Sequence, residues 1–176
     1  MTGATGLLGS HLVEELVQDG QVVTGLVHRR PPPRLDVAWV EGDVTQPNFG
    51  ITEKLPPLDA LVHCAGLVKF TESQALHLAN VYGVENAIQL ALRLGLPLFH
   101  VSTAYVGGDP ALGSVLADQM AFCHTRNAYE RSKYHAELLI RNTKGLDYTI
   151  VRPSILVGDS RVVGIPPPMG LYQGVK

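Results

Sequence analysis

Tyr129 and Lys133 form the strongest chemical signal in the chain. The run Tyr-Glu-Arg-Ser-Lys places them four residues apart, so on a helix they share one face. A phenol with an ordinary pKa of about 10 is a weak proton donor near neutrality, and a neighbouring ammonium lowers that pKa by stabilising the phenolate. A hydroxyl from Ser102 or Thr103, at the end of a predicted strand, could hold a carbonyl oxygen beside them. This set suits proton delivery to a carbonyl oxygen while hydride arrives at its carbon.

A glycine-rich turn, Met-Thr-Gly-Ala-Thr-Gly-Leu-Leu-Gly-Ser, opens the chain. Gly3, Gly6 and Gly9 lie three residues apart and lead into an amphipathic segment. Backbone at such a turn can approach a pyrophosphate closely, and a helix N-terminus points at it. A tight turn between strand and helix is the alternative interpretation of the motif alone. The residues that we expect to contact a dinucleotide here are Gly3, Thr5, Gly6, Leu7, Leu8 and Gly9.

The next predicted strand ends at His28-Arg29-Arg30, and Arg29, Arg30 and Arg34 form a basic cluster. In an NAD site an acid about 20 residues after the glycines would bond the ribose 2′-hydroxyl. No acid stands there, and guanidinium groups suit a 2′-phosphate. The sequence therefore predicts NADP, as NADPH, with Arg29 the first choice and Arg30 the second. NAD is the weaker alternative for the cofactor, and a solvated loop is the alternative for the cluster.

Two further strand ends carry candidate cofactor contacts. Asp43, followed by Val44, could accept a hydrogen bond from an adenine amino group, or it could be an exposed turn residue. Ala65 and Gly66 are small enough for a flat ribose or adenine to pack on their backbone. Cys64 fits a small buried side chain better than a nucleophile.

Hydrophobic patterns alternate between strands and helices along the chain. Strands are predicted at 22–27, 37–40, 58–64, 97–102 and 148–151, and helices at 8–17, 74–94 and 128–142. This alternation indicates an α/β fold, a doubly wound parallel sheet in three α/β/α layers. Ligands of such sheets bind at the carboxyl edge of the strands. Because only Met1 and Thr2 precede the glycine turn, the first strand is expected to be truncated.

Composition limits the function classes. A chain of 176 residues fits a single domain, and a net charge of −2 argues against nucleic-acid binding. No apolar run is long enough for a membrane span. Cys64 and Cys123, and seven scattered histidines, lack metal-ligand spacing, so no metal site is predicted. A reducing, cytoplasmic setting is the default for such a chain.

Three motifs together resemble the extended short-chain dehydrogenase/reductase family: TGATGLLGS its nucleotide motif, VSTAYV its Ser/Thr strand, and YERSK its Tyr–Lys pair. Within that family the closer likeness is to thioester-reductase-like and fatty acyl-CoA reductase (male-sterility-type) domains, through HVSTAYVGG, NAYERSKYHAE and IVRPSILVGDSR. The resemblance implies a Rossmann-type fold and use of NADPH. It also implies release of an acyl group from a carrier protein or coenzyme A as an aldehyde or alcohol.

The resemblance also implies residue roles. Thr103, with Ser102 as the alternative, matches the catalytic Ser/Thr, Tyr129 matches the acid, and Lys133 matches its partner, the last two also contacting the cofactor. Asn80, also expected near the cofactor, falls where the family has an asparagine on its central helix, a residue that supports the backbone or, as the alternative, takes part in a proton relay. The residues expected to pass near the nicotinamide are Pro153, Ser154 and Ile155.

The resemblance is incomplete, because the family's first strand and its C-terminal substrate region are largely missing. We therefore expect residues 1–176 to be a single NAD(P)-binding domain, and a fragment. Two other functions stay open: an NAD-dependent nucleotide-sugar epimerase/dehydratase or hydroxysteroid-type dehydrogenase, and a non-catalytic NAD(P)-binding protein. Helices of this fold often pair into dimers in the family, so a homodimer also stays open.

Overall fold

A computed structural model describes residues 1–28, 36–107 and 125–156. In this part of the chain strands and helices alternate, as the hydrophobic pattern predicted. The helices are α1 (Leu7–Gln18), α2 (Gln74–His77), α3 (Gly83–Leu94) and α4 (Ala128–Asn142). The strands are β1 (Thr24–Val27), β2 (Ala38–Glu41), β3 (Leu61–His63), β4 (Leu98–Val101) and β5 (Tyr148–Val151).

The five strands form two parallel sheets that Met1 and Thr2 connect. β1 pairs with β2, and β4 lies between β3 and β5. The Met1 carbonyl accepts from the Leu26 amide at 2.8 Å, and the Thr2 amide donates to the Val62 carbonyl at 2.9 Å. Thr2 also pairs in parallel with His63. The spatial order is therefore β2, β1, Met1–Thr2, β3, β4, β5, which confirms the predicted Rossmann-type fold with its short first strand.

Two clusters of buried apolar side chains hold the helices against the sheet. The larger joins α3 and α4 to β3 and β4, and the smaller joins α1 to the chain around β1 and β2. The larger cluster contains Phe49, Leu61, Val84, Ala87, Ile88, Leu90, Ala91, Leu96, Leu98, Ala136 and Ile140. The smaller contains Ala4, Val13, Val23 and Val37. Each of the two helices that carry site motifs, α1 and α4, is thus fixed by its own buried face.

The helix predicted at 74–94 contains an irregular turn that its sequence pattern does not reveal. It begins after Ser73, whose hydroxyl accepts from the Leu76 amide at 3.2 Å, and it ends at Gly95 with a φ of 66°. Between α2 and α3 lies a π-helical turn, Leu78–Tyr82. Such turns are rare and often occur at functional sites. Here the turn contains the buried Asn80, one of the predicted site residues.

Some strand limits differ from the predicted ones. The strand predicted from residue 22 begins at Thr24, and Val22 is 94% exposed because it precedes the paired segment. The strand predicted at 58–64 pairs with β4 only over Leu61–His63, and Leu58 packs against the core outside the ladder. By contrast, α4 and β5 have the predicted limits.

Candidate active site

One cavity of about 560 Å³ lies at the carboxyl edge of the sheet, where the glycine turn meets α4. The predicted site residues on its wall are Gly3, Gly6, Leu7, Leu8, Gly9, Gly66, Ser102, Thr103, Tyr129, Lys133, Pro153, Ser154 and Ile155. Segments far apart in sequence converge there because the parallel strands all end at this edge. The phenol and the ammonium therefore face the same space as the glycine turn.

The glycine turn is shaped so tightly that side chains would not fit. A Cβ on Gly9 would lie 2.0 Å from the Gly3 carbonyl oxygen, and one on Gly3 would lie 2.6 Å from the Ala65 nitrogen. Gly3 also has a φ of 68°, in the left-handed region that favours glycine. The turn closes through a hydrogen bond from the Gly6 amide to the Gly3 carbonyl, and α1 begins at the next residue. A bare backbone turn at a helix N-terminus fits a pyrophosphate.

Tyr129 lies near the start of α4, partly buried and in contact with Phe70, with ring centroids 6.4 Å apart and edge-to-face geometry. Burial raises the pKa of its phenol above the ordinary value, and a hydrogen bond with the Thr103 side chain offsets this only in part. The sequence predicted the opposite direction, a pKa lowered by Lys133. That prediction is corrected: desolvation outweighs stabilisation of the phenolate, and the phenol stays protonated at neutral pH.

Lys133 lies one turn further along α4, with 4% of its surface exposed. Its Nζ donates to the Val101 carbonyl at 2.7 Å and lies 3.3 Å from His100 Nε2. Burial lowers the pKa of Lys133 to about 8, against the opposing effect of the Glu137 carboxylate. Val101 and His100 both belong to β4, so these two contacts fix the ammonium to the strand that ends beside the cavity.

The two candidate hydroxyls at the end of β4 have different partners. Ser102 Oγ donates to the buried Glu137 Oε1 at 2.5 Å. Thr103 Oγ1 accepts from the Tyr105 amide at 3.3 Å, and the Thr103 side chain is the group that lowers the pKa of Tyr129 against the effect of burial. Of the two, Thr103 is therefore the hydroxyl that interacts with the phenol.

Sequence reasoning missed two buried histidines beneath this site. His63 and His100 occupy facing positions of β3 and β4, and their rings stack with centroids 5.6 Å apart. Burial lowers the pKa of His63 to about 3 and holds that of His100 well below its ordinary value, so both are neutral. His100 contacts Lys133, and His63 Nδ1 hydrogen-bonds with Thr2 Oγ1 at 2.9 Å. A polar residue inside an otherwise apolar strand was the available signal.

The sequence profile of the NAD dependent epimerase/dehydratase family matches residues 1–168. The chain belongs to this family. The resemblance to extended short-chain dehydrogenases/reductases is thereby confirmed, and the parallel sheet with flanking helices is the NAD-binding fold of such proteins.

Individual proteins and solved structures also resemble this chain. Sterol demethylase protein B of Methylococcus capsulatus is 31% identical over 171 residues, which are 90% of this chain and 51% of that protein. Hybrid PKS-NRPS synthetase pydA of Acremonium sp is 32% identical over 180 residues, 90% of this chain and 4% of the synthetase. The terminal R domain from the myxalamid PKS-NRPS biosynthetic pathway superposes with a TM-score of 0.74 at 29% identity, covering 87% of this chain and 47% of that domain. The chain thus spans about half the length of the R domain, and of the first of these relatives.

Several predicted cofactor residues of this family member lie outside the cavity wall. The Asn80 side chain bonds both backbone groups of Leu67, at 2.7 and 2.9 Å, and donates to Ser132 Oγ at 2.9 Å. It ties the loop after β3 to α4, which agrees with the predicted support of backbone. The Ala65 amide donates to Thr2 Oγ1 at 3.2 Å, and Thr5 is exposed at the tip of the turn.

The residues predicted for the adenosine end lie beyond β1 and β2. Asp43 Oδ1 accepts from the amide and hydroxyl of Thr45, at 2.9 and 2.8 Å, and Oδ2 lies 3.4 Å from His28 Nε2. Val44 packs toward Gly83 at the start of α3, and its carbonyl accepts from Asn86 at 2.8 Å. Arg29 and Arg30 lie outside the described residues.

Catalysis by a cysteine nucleophile or by a metal ion has little support among the described residues. Cys64 is on the cavity wall, but burial raises the pKa of its thiol to about 11, which keeps it protonated and a poor nucleophile, as expected. Across residues 1–28, 36–107 and 125–156, His, Cys, Asp and Glu side chains form no cluster that could hold a metal ion. Within the same ranges no helix has the length and apolar character needed to cross a bilayer.

Proposed function

We propose that the protein is an NADPH-dependent reductase of carbonyl or acyl-thioester substrates. One observation supports it above all: a single cavity joins a dinucleotide turn to a Tyr–Lys–Thr set. A binding protein needs the turn but has no use for the paired phenol and ammonium. When bound, NADPH would supply hydride to the carbonyl carbon.

In this proposal each polar side chain has a distinct role. Thr103 holds the substrate carbonyl oxygen, and Tyr129 donates its proton to that oxygen as negative charge develops there. Burial keeps the Tyr129 phenol protonated at neutral pH, so its proton is available, and the negative charge that develops on the substrate oxygen draws that proton away. Lys133, fixed by Val101 and His100, supplies positive charge beside the phenol after the proton has left.

The substrate side of the cavity favours an apolar acyl group. Val68, Phe70, Ile155 and Leu156 line it, and each is at least 40% exposed, so this wall is accessible. The R domain that resembles this chain comes from a PKS-NRPS pathway. We therefore include a carrier-bound or coenzyme A-bound acyl chain in the proposal, and the reducing, cytoplasmic setting stays a prediction.

The family match favours a second candidate, an NAD-dependent epimerase or dehydratase of nucleotide sugars or a hydroxysteroid-type dehydrogenase. A substrate panel separates the two candidates. Acyl-thioesters should be reduced with consumption of NADPH, and sugar nucleotides and steroid alcohols should not react. Turnover of a sugar nucleotide, without reduction of any thioester, would contradict the proposal and support the second candidate.

Cofactor choice provides an independent prediction. Arg29→Gln should weaken NADPH binding by about tenfold or more, because a guanidinium bonded to a 2′-phosphate contributes roughly 1.5–3 kcal/mol. NADH binding should change little, since NADH has no 2′-phosphate. Titration calorimetry with both cofactors measures the difference, and Arg93→Gln, on the exposed end of α3, is the matched control. Equal losses for NADPH and NADH would count against a 2′-phosphate contact.

A further inference from the structure

A buried carboxylate lies directly beneath the site and has no place in the chemistry above. Glu137 is on α4, one turn after Lys133, and none of its surface is exposed. Oε1 accepts from Ser102 Oγ at 2.5 Å and from Arg152 Nε at 2.9 Å. Oε2 accepts from Arg152 Nη2 at 2.6 Å, and Arg141 Nη2 lies 3.4 Å away. A buried carboxylate is stable only when charged or polar donors bond it, so the position of Glu137 depends on these donors.

The partners of Glu137 belong to the three segments that build the cavity. α4 carries Tyr129 as well as Glu137. Ser102 is the residue before Thr103, at the end of β4. Arg152 is the residue before Pro153, at the end of β5, where the chain passes along the cavity wall. One carboxylate therefore fixes the relative positions of the helix and of both strand ends.

Glu137 also affects the charge of Lys133. The groups that face this ammonium in the described structure come from three elements: His100 on β4, stacked on His63 of β3, and Cys64 just after β3. The histidines are neutral, and Cys64 raises the pKa of Lys133 less than Glu137 does. Glu137 therefore has the largest effect opposing the loss of solvation of this ammonium.

We propose that Glu137 is the positioning residue of this site: it joins the ends of β4 and β5 to α4 and places a carboxylate one turn from Lys133. The reaction in which Lys133 takes part rests on the proposed function. The two contacts of Glu137 with the strand ends, and its effect on Lys133, are independent of that proposed function.

The test compares Glu137→Gln with the double variant Glu137→Gln/Arg152→Gln. The single variant leaves the Arg152 guanidinium buried without its carboxylate and should unfold at a lower temperature. The double variant has a neutral amide pair in place of the ion pair, so most of the lost thermal stability should return. In both variants the pKa of Lys133 should fall below that of the parent, because the carboxylate charge is gone. Arg93→Gln, which removes an exposed arginine of α3, should change neither quantity.

The pKa of Lys133 is measured directly by NMR of ¹³Cε-labelled lysine, since the chain has only five lysines. NADPH turnover is followed as a function of pH in parallel, and the limb on which Lys133 loses its proton should move to lower pH in the double variant. If the double variant recovers both the stability and the Lys133 pKa of the parent, Glu137 is a structural partner of Arg152 alone and the proposal is overturned. If the parent shows no turnover, the proposed function fails, while the NMR titration and the melting temperatures still decide the role of Glu137.

Discussion

Replacing Tyr129 with phenylalanine should lower the rate of NADPH-dependent reduction by about 10²–10⁴-fold, the usual contribution of a positioned acid. The substitution removes one oxygen and preserves the ring that packs against Phe70. It also removes the partner of the Thr103 side chain, so the substrate oxygen loses its proton donor while the cavity keeps its shape. Single-turnover reduction under saturating NADPH measures the chemical step without the contribution of product release.

Tyr134→Phe is the matched control for this prediction. Tyr134 is on the same helix and is 9% exposed, and its side chain is not on the cavity wall. The control should keep both the parental rate and the parental Kd for NADPH. A Tyr129→Phe protein that reduces substrate within a fewfold of the parental rate would remove the phenol from the mechanism.

The sequence could predict the position of Tyr129 and Lys133 because local pattern fixes it. Apolar spacing and the cap residue Asn127, whose side chain accepts from the Glu130 amide, define α4 without reference to distant residues. Four residues on that helix then place Tyr129 and Lys133 on one face. Strand ends meet at one edge in any parallel sheet, so the meeting of the helix with the glycine turn was also predictable.

The electrostatics of the site could not be predicted in the same way. The direction of the Tyr129 pKa depends on how deeply the phenol is buried, and burial comes from packing between segments far apart in sequence. Ser102 and Thr103 are adjacent and chemically similar, and only the position of Glu137, 35 residues after Ser102, distinguishes them. The contact of His100 with Lys133 likewise depends on the register between a strand and a helix that are distant in the chain.

These distant contacts explain why a site built from short motifs needs a well-packed domain around it. Lys133 is held by a carbonyl and a ring nitrogen of β4, and β4 is in turn held between β3 and β5. A displaced strand would move the ammonium and the Thr103 hydroxyl together. The geometry of the site therefore depends directly on the correct pairing of the strands.

The second large effect is expected at the glycine turn, where two alanine substitutions should behave differently. A Cβ on Gly9 would meet the Gly3 carbonyl oxygen at 2.0 Å and its carbon at 2.7 Å, and backbone cannot move aside as a flexible side chain does. Gly9→Ala should therefore cost about 4 kcal/mol or more of unfolding free energy, at the severe end of single substitutions. Denaturant unfolding measures this loss, and NADPH binding should disappear with the turn.

Gly6→Ala is the matched change at the same turn. Its Cβ would meet only the Gly3 carbonyl oxygen, at 3.3 Å, and Gly6 is an exposed residue with extended backbone that alanine adopts readily. The fold should tolerate this methyl group, but the group would occupy the backbone surface on the cavity wall where a pyrophosphate has to approach. We expect parental stability with NADPH affinity reduced about tenfold, a loss of about 1.4 kcal/mol. If Gly6→Ala binds NADPH as tightly as the parent does, the pyrophosphate does not contact this turn, and the cavity would have to hold the dinucleotide elsewhere.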